Sequence, residues 1–354
     1  MTETLTARID VDTLRAWLLD GDELAVLDVR PAAEVGYASP LFATNLPADR
    51  VVAELGRFVP RPVVRTVLVD GGDGVADPIV AELRARGWTD VVALAGGIPA
   101  WLDQDGEPPT FDLPGKDFSL TIRDERGTPA VTATELQALR DAGVDVVVID
   151  TRTVPEFDAG HVPGAIGVPG AELLRHFSTV VPDSSTHVVV SCAGLPRAII
   201  GAQTLIDAGV PNQVSFLYDG TRAWTESGGE LEVGPVPTGT GVDTAAPGRV
   251  RTLSSQDTVK FIDEQTALEW AADSDRTTYL LDVRTPQEFE AGHLAGSISA
   301  EGGQLLGVAY RTIAVRGSRV VLIDDLVGAR AAVVAHWLQR RGYEIVVLLR
   351  DFEV

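Results

Sequence analysis

The sequence predicts an α/β protein built from tandem units, each a central, mainly parallel sheet flanked by helices. Three observations carry this. Strand-like runs alternate with helical stretches along 354 residues, the pattern of parallel α/β domains. Those runs are almost continuously apolar, as expected of strands buried on both faces. A unit Asp-x-Arg-x3-Glu recurs three times: Asp28-Val29-Arg30 with Glu34, Asp150-Thr151-Arg152 with Glu156, and Asp282-Val283-Arg284 with Glu288. A self-similar sequence of this kind repeats one supersecondary design.

The first copy opens on the strand Leu24-Ala25-Val26-Leu27-Asp28. A second strand, Val67-Leu68-Val69, leads to a helix over 78–86, capped by Gly87, and then to the strand Val91-Val92-Ala93-Leu94. Composition loosens at Asp105-Gly106-Glu107-Pro108-Pro109, so this domain is placed at 1–113. The second copy, 118–233, is expected to start with a strand over 118–122. It continues with strands Val146-Val147-Val148-Ile149-Asp150 and Val188-Val189-Val190, a helix carrying Ile199, Ile200, Leu205 and Ile206, and the strand Val214-Ser215-Phe216-Leu217. A Gly/Pro/Thr stretch over 234–241 reads as an exposed linker. The third copy, 250–354, has strands at Tyr279-Leu280-Leu281-Asp282, Val320-Val321-Leu322-Ile323 and Ile345-Val346-Val347-Leu348-Leu349, with a helix over 329–341. Gly87, Gly209 and Gly342 follow the helices as left-handed caps. Copies one and two end in Gly96-Gly97-Ile98-Pro99-Ala100-Trp101 and Asp219-Gly220-Thr221-Arg222-Ala223-Trp224; copy three stops five residues after Leu349. It is expected to be either a short copy or the edge of a fragment.

Composition bounds the function. The chain has 29 Lys and Arg against 51 Asp and Glu, a formal net charge of −22. Such a surface repels phosphate backbones and anionic membranes, which argues against nucleic-acid and membrane partners. No apolar run reaches membrane-spanning length, and Met1-Thr2-Glu3-Thr4-Leu5 is not a secretory signal. One cysteine excludes an internal disulfide framework and fits a reducing compartment, so a cytoplasmic protein is expected. Neither a Cys/His cluster with metal spacing nor a nucleotide fingerprint is present, and no metal or cofactor is expected.

That cysteine, Cys192, follows the Val188-Val189-Val190 strand and precedes the helix. A helix N-terminus offers unpaired N–H groups and partial positive charge. With Arg197 five residues on, the setting predicts a thiol of lowered pKa, nucleophilic at neutral pH. The local field at Cys192 is expected to oppose the global negative charge.

Cys192-x4-Arg197 after a strand resembles the active-site loop of the rhodanese, or sulfurtransferase, family. Upstream, Val148-Ile149-Asp150-Thr151-Arg152, Pro155-Glu156-Phe157 and Gly160-His161-Val162-Pro163-Gly164-Ala165 resemble that family's first signature, and Asp219-Gly220-Thr221-Arg222-Ala223-Trp224 its closing Gly-x3-Trp segment. The resemblance implies tandem rhodanese-like domains, with four in some relatives. It implies sulfur transfer from thiosulfate or a similar small donor, through a Cys192 persulfide, to cyanide or a thiol, with a sulfur-accepting protein as a further partner. Cys192 is then the catalytic residue. Ala193, Gly194, Leu195, Pro196, Arg197 and Ala198 form the substrate cradle, and Arg175 and Arg222 border it. In relatives the Arg and Glu of the first signature form a structural ion pair, implied here for Arg152 with Glu156. His161 and His293 read as hydrogen-bonded structural residues, since His293 has no thiol nearby in sequence.

Counting back from the capping glycines places Asp70 and Asp325 at the position of Cys192. Carboxylate oxygen cannot carry sulfane sulfur, so copies one and three are expected to be inactive modules that pack against or shield copy two. Two alternative readings remain. One is a persulfide carrier loaded by a partner protein. The other is a Cys-dependent phosphatase or arsenate reductase, disfavoured because that related loop is one residue longer, Cys-x5-Arg.

Overall fold

The computed structural model describes residues 7–35, 43–105, 113–235, 241, 243–256 and 259–352. Much of the expected linker, and most of the loosened stretch that closes copy one, lie outside these residues.

Three sheets are present, built on one plan. In copy two the strands run in the order Ala130–Val131, Val214–Leu217, His187–Ser191, Val146–Asp150, Ile166–Gly167, and all of these pairs are parallel. His187–Ser191 is the central strand and every one of its residues is buried. The β-branched run Val188, Val189 and Val190 suits a strand covered on both faces. In copy one the order Arg8–Ile9, Val91–Leu94, Arg65–Val69, Leu24–Asp28 repeats the design, with Thr44–Asn45 beside the last strand. In copy three the order is Lys260–Phe261, Glu344–Leu349, Arg319–Asp324, Thr278–Asp282, Ile298–Ser299.

The helices after the central strands span Ala76–Ala85, Pro196–Asp207 and Ala329–Arg340. Each is followed by a left-handed glycine: Gly87 at φ 98°, Gly209 at 71° and Gly342 at 85°. Pro196 opens its helix at the first position, where the missing N–H costs nothing.

Two expectations need correction. Residues 118–122 are helical, inside Leu113–Arg126, and copy two's first strand is Ala130–Val131. Phe118, Leu120 and Ile122 show the two-residue alternation of a strand, but Phe118 and Ile122 are also one helical turn apart. The Phe118 ring packs edge-on against Trp337, with centroids 6.0 Å apart, and that contact favours the helix.

The compact units cut across the repeat. The chain divides into two compact units: 1–114 with 268–279 and 308–320, and 115–267 with 280–307 and 321–354. Within the first, Val315–Arg316 adds an antiparallel edge strand to Leu24–Asp28. Within the second, copies two and three share one apolar core. Every residue from Ala329 to Leu338 is buried, and Ala329, Ala332, Val333 and Trp337 join Ile199, Ala202 and Leu205 in one cluster. Trp337 Nε1 donates to Thr204 Oγ1 at 2.8 Å.

The second correction concerns register. Thr151 N–H donates to Ser191 O, Val29 N–H to Val69 O and Val283 N–H to Ile323 O. The residue after each acceptor is Cys192, Asp70 and Asp324. Thr221 N–H, Ile98 N–H and Arg350 N–H then donate to the carbonyls of those same three residues. Asp324, not Asp325, therefore occupies the place of Cys192. The copy-three turn has one residue more before its arginine, which a count back from the capping glycine cannot reveal.

Candidate active site

The C-terminal ends of His187–Ser191 and Val146–Asp150 lie side by side, with Asp150 paired to Ser191. The chain reverses its order across the sheet here, and parallel sheets bind ligands in the crevice that such a reversal opens. Cys192 is the first residue past the central strand.

Its carbonyl accepts from Thr221 N–H at 2.9 Å. Gly220, at φ 53°, passes so close that a Cβ there would lie 1.9 Å from Cys192 O, so only glycine fits. On the other side Gly194 N–H points at Sγ from 3.3 Å, and Ala198 N–H also faces the sulfur. Ala198 is the third residue of its helix, where N–H groups have no partner within the helix. Asp70 accepts equivalent N–H groups two and six residues on, from Gly72 at 2.9 Å and Ala76 at 3.1 Å. Asp324 accepts from Arg330 N–H at 2.9 Å and Ala331 N–H at 3.0 Å. One anion-holding turn thus occurs three times, filled by carboxylates in two copies and by sulfur in one.

The surroundings do not lower the thiol pKa as the sequence suggested. Cys192 is 1% exposed, and burial pushes its thiol pKa up, against the Gly194 N–H, the charge of Arg197 and the Ala198 N–H. Desolvation penalises the thiolate more than these groups favour it.

Arg197 is only partly available to help. Its two terminal nitrogens donate to Glu156 at 2.7 and 2.8 Å, and this bidentate pairing, with help from Thr153, holds the Glu156 carboxyl at about 2. The expected pairing of Arg152 with Glu156 does not occur. Arg152 closes on Asp150 at 2.9 and 2.8 Å and on Gly160 O at 2.6 Å. The same Asp–Arg clasp recurs at Asp28–Arg30 and Asp282–Arg284, each at 2.7 Å. In copy three, Glu288 again goes to the arginine of the turn, Arg330, at 2.9 Å.

The remaining candidates are also engaged. Arg175 donates to Asp325 rather than lying open beside the sulfur. Arg222 donates through Nε to Asp219 Oδ2 at 2.8 Å. Each arginine proposed for the site thus has a carboxylate partner. His161 stacks on Phe157 with centroids 3.9 Å apart, its Nδ1 2.9 Å from Phe157 O. His293 repeats this on Phe289.

Asp219 is a site residue that sequence reasoning missed. Among the described residues it is the single non-glycine with positive φ, at 59°. A Cβ on Gly194 would sit 3.7 Å from its Oδ1, so the carboxylate borders the sulfur loop. The signal lay in the repeat: copy one has Gly96 at this place.

Among the described residues no group of three or more His, Cys, Asp or Glu could hold a metal ion, and no helix is long and apolar enough to cross a membrane. A cavity of about 420 Å³ in the first unit, lined by Glu23, Arg61, Arg65 and Asp275 among others, includes none of the Cys192 site.

Comparison with known proteins agrees with this architecture. The chain is similar to a crystal structure of thiosulfate sulfurtransferase from Pseudomonas aeruginosa, with 41% identity and a TM-score of 0.91, over 98% of this chain and 67% of that one. It is 29% identical to the 3-mercaptopyruvate sulfurtransferase of Escherichia coli K12 over 181 residues, 44% of this chain and 62% of that protein. An HTH-type transcriptional regulator of Mycobacterium tuberculosis is 32% identical over 127 residues, 35% of this chain and 54% of the regulator. The chain thus spans 54% to 62% of the length of these two curated relatives. A family model described as "Rhodanese-like domain" matches residues 132–227 and 264–352, more than half of the sequence, and the chain belongs to the rhodanese-like family.

Proposed function

We propose that this protein is a sulfurtransferase in which Cys192 carries sulfane sulfur from thiosulfate, or a similar small donor, to a thiophilic acceptor. The observation that carries this reading is the placement of Sγ against the N–H groups of Gly194 and Ala198. Cys192 first loses its proton to solvent. The thiolate attacks the outer sulfur of thiosulfate, the S–S bond breaks, and sulfite leaves with the electron pair. Cys192 is left as a persulfide anion, whose terminal sulfur the loop N–H groups stabilise. An acceptor, cyanide or a thiolate, attacks that terminal sulfur. Thiocyanate or the acceptor's persulfide departs, and the Cys192 thiolate returns. The single cysteine supports a reducing, cytoplasmic setting.

The test is intact mass after incubation with thiosulfate, followed by thiocyanate formation on adding cyanide. A gain of one sulfur atom that disappears with cyanide, and is absent in Cys192→Ser, supports the reading. A protein that gains no sulfur from any small donor overturns it. The carrier reading, with sulfur delivered by a partner protein, is favoured by one observation: Arg197 and Arg222 are paired with Glu156 and Asp219. Loading only in the presence of a second protein would establish it. Hydrolysis of an aryl phosphate without sulfur transfer would favour the phosphatase, which the pairing of Arg197 with Glu156 disfavours.

A further inference from the structure

We propose that Asp219 is a specificity-determining residue of the Cys192 site, selecting singly charged sulfur donors over doubly charged ones. The proposal rests on the sulfur-transfer reading and narrows its substrate class.

Backbone conformation is the first support. Asp219 adopts φ 59°, ψ 15°, which L side chains take at a cost and Asp more readily than most. The hydrogen bonds Thr221 N–H to Cys192 O and Ile98 N–H to Asp70 O place Asp219 level with Gly96 of copy one. Gly96 holds the same left-handed conformation at φ 73°. Copy one, without a thiol, uses the residue that suits the backbone. Copy two, with the thiol, carries a carboxylate there, and backbone strain of this kind gathers at functional positions.

The second support is orientation. Asp219 Oδ1 faces the loop at Gly194, whose N–H points at Sγ. Its other oxygen, Oδ2, takes both bonds from Arg222. The Arg222 side chain is 63% exposed, against 16% for Asp219. Water therefore screens the positive member of the pair, while the negative member borders the loop.

A donor delivering sulfur must bring its outer sulfur to Sγ. Thiosulfate brings two negative charges and methanethiosulfonate brings one, with nearly the same shape. Methanethiosulfonate balances in the same way: the Cys192 thiolate takes the outer sulfur, the S–S bond breaks, and methanesulfinate leaves with the electron pair. The extra charge beside Asp219 is disfavoured about three- to tenfold, for unit charges a few ångströms apart in partly solvated surroundings.

The experiment measures kcat/KM for both donors, with cyanide as acceptor, in the native protein, Asp219→Asn and Asp219→Gly. Glycine suits this backbone and asparagine tolerates it, so both variants are expected to fold. The expected result is a rise of about three- to tenfold for thiosulfate in both variants, with methanethiosulfonate within about twofold of native. The thiosulfate gain should shrink as salt is added. An unchanged donor ratio, or a fall for thiosulfate, overturns the proposal; the fall would mean that Asp219 instead holds Arg222 to receive the donor. A second readout needs no sulfur chemistry: alkylation of Cys192 by iodoacetate relative to neutral iodoacetamide. That ratio should rise by a similar factor in Asp219→Asn, and an unchanged ratio counts against Asp219 even if neither sulfur donor reacts. Failure of both donors with a raised alkylation ratio would sink the sulfurtransferase reading and leave the charge filter standing.

Discussion

Glu156 and Arg197 face one another in a two-pronged pair, 2.8 and 2.7 Å apart, beside the buried sulfur of Cys192. The pair ties the Asp-x-Arg-x3-Glu segment to the turn that follows the central strand. Arg197 still favours the Cys192 thiolate, though less than burial opposes it.

Glu156→Gln tests that balance. It frees Arg197 to act on the sulfur and should lower the Cys192 pKa. A drop of about half a unit corresponds to about threefold more thiolate below the pKa. Iodoacetamide labelling at pH 7.5 should therefore speed up by about threefold. Unchanged or slower labelling would show that Arg197 does not act on the thiol.

Acid unfolding reports on the same pair. With its folded-state value near 2, below the usual carboxylate range, Glu156 stabilises the native state above its unfolded pKa. That contribution is lost as pH falls from about 4.3 towards 2. Both side chains are about one-third or more exposed, so salt should weaken it. Denaturant midpoints measured from pH 5 to 2.5 should fall less steeply in Glu156→Gln than in the native chain. Identical slopes would remove Glu156 from the acid limb.

Cys192 should react as a reluctant thiol in the resting protein. Burial raises its pKa, so iodoacetamide labelling should climb through and beyond the ordinary thiol value of about 8.5. A profile already level at pH 7 would mean that the N–H groups and Arg197 outweigh desolvation.

Gly220 and Gly228 form a matched pair of tests. Both have positive φ, 53° and 90°, so alanine strains the backbone at either place, by about 1–2 kcal/mol. Gly228 has open space, whereas a Cβ on Gly220 meets Cys192 O at 1.9 Å. Gly220→Ala should lose sulfur transfer by at least about tenfold, the scale expected when a catalytic loop is displaced. Gly228→Ala should lose only stability. Equal activities would show that the Cys192 loop tolerates displacement.

Trp337→Ala addresses the core shared by copies two and three. Trp337 is 1% exposed and bonded to Thr204, and truncating such a residue costs about 3–5 kcal/mol. Urea unfolding should shift accordingly, and tryptophan-independent probes of copy two should move with it. A shift confined to copy three would mean that the two copies unfold separately.

Much of this was legible in the sequence. The runs Val188-Val189-Val190 and Val214-Ser215-Phe216-Leu217 declare buried parallel strands, and Gly209 and Gly342 declare helix ends. The turn after the central strand was visible because Cys192 stands between a strand and Pro196. The state of the thiol was not, because neighbours from distant parts of the chain bury it. Nor was the partner of Glu156: Arg152 lies close in sequence, whereas Arg197 is 41 residues away, and only the fold gives Arg152 to Asp150. The helix over 118–122 was hidden because its deciding neighbour, Trp337, lies more than two hundred residues away.

The helix Ala329–Arg340 has a practical consequence for dissecting the molecule. Its buried face completes the packing around Ile199, Ala202 and Leu205. A piece cut at the repeat boundary near residue 233 would leave those side chains wet and prone to aggregate. Any excised version of the reactive repeat has to carry its neighbour along, because the two repeats share that core.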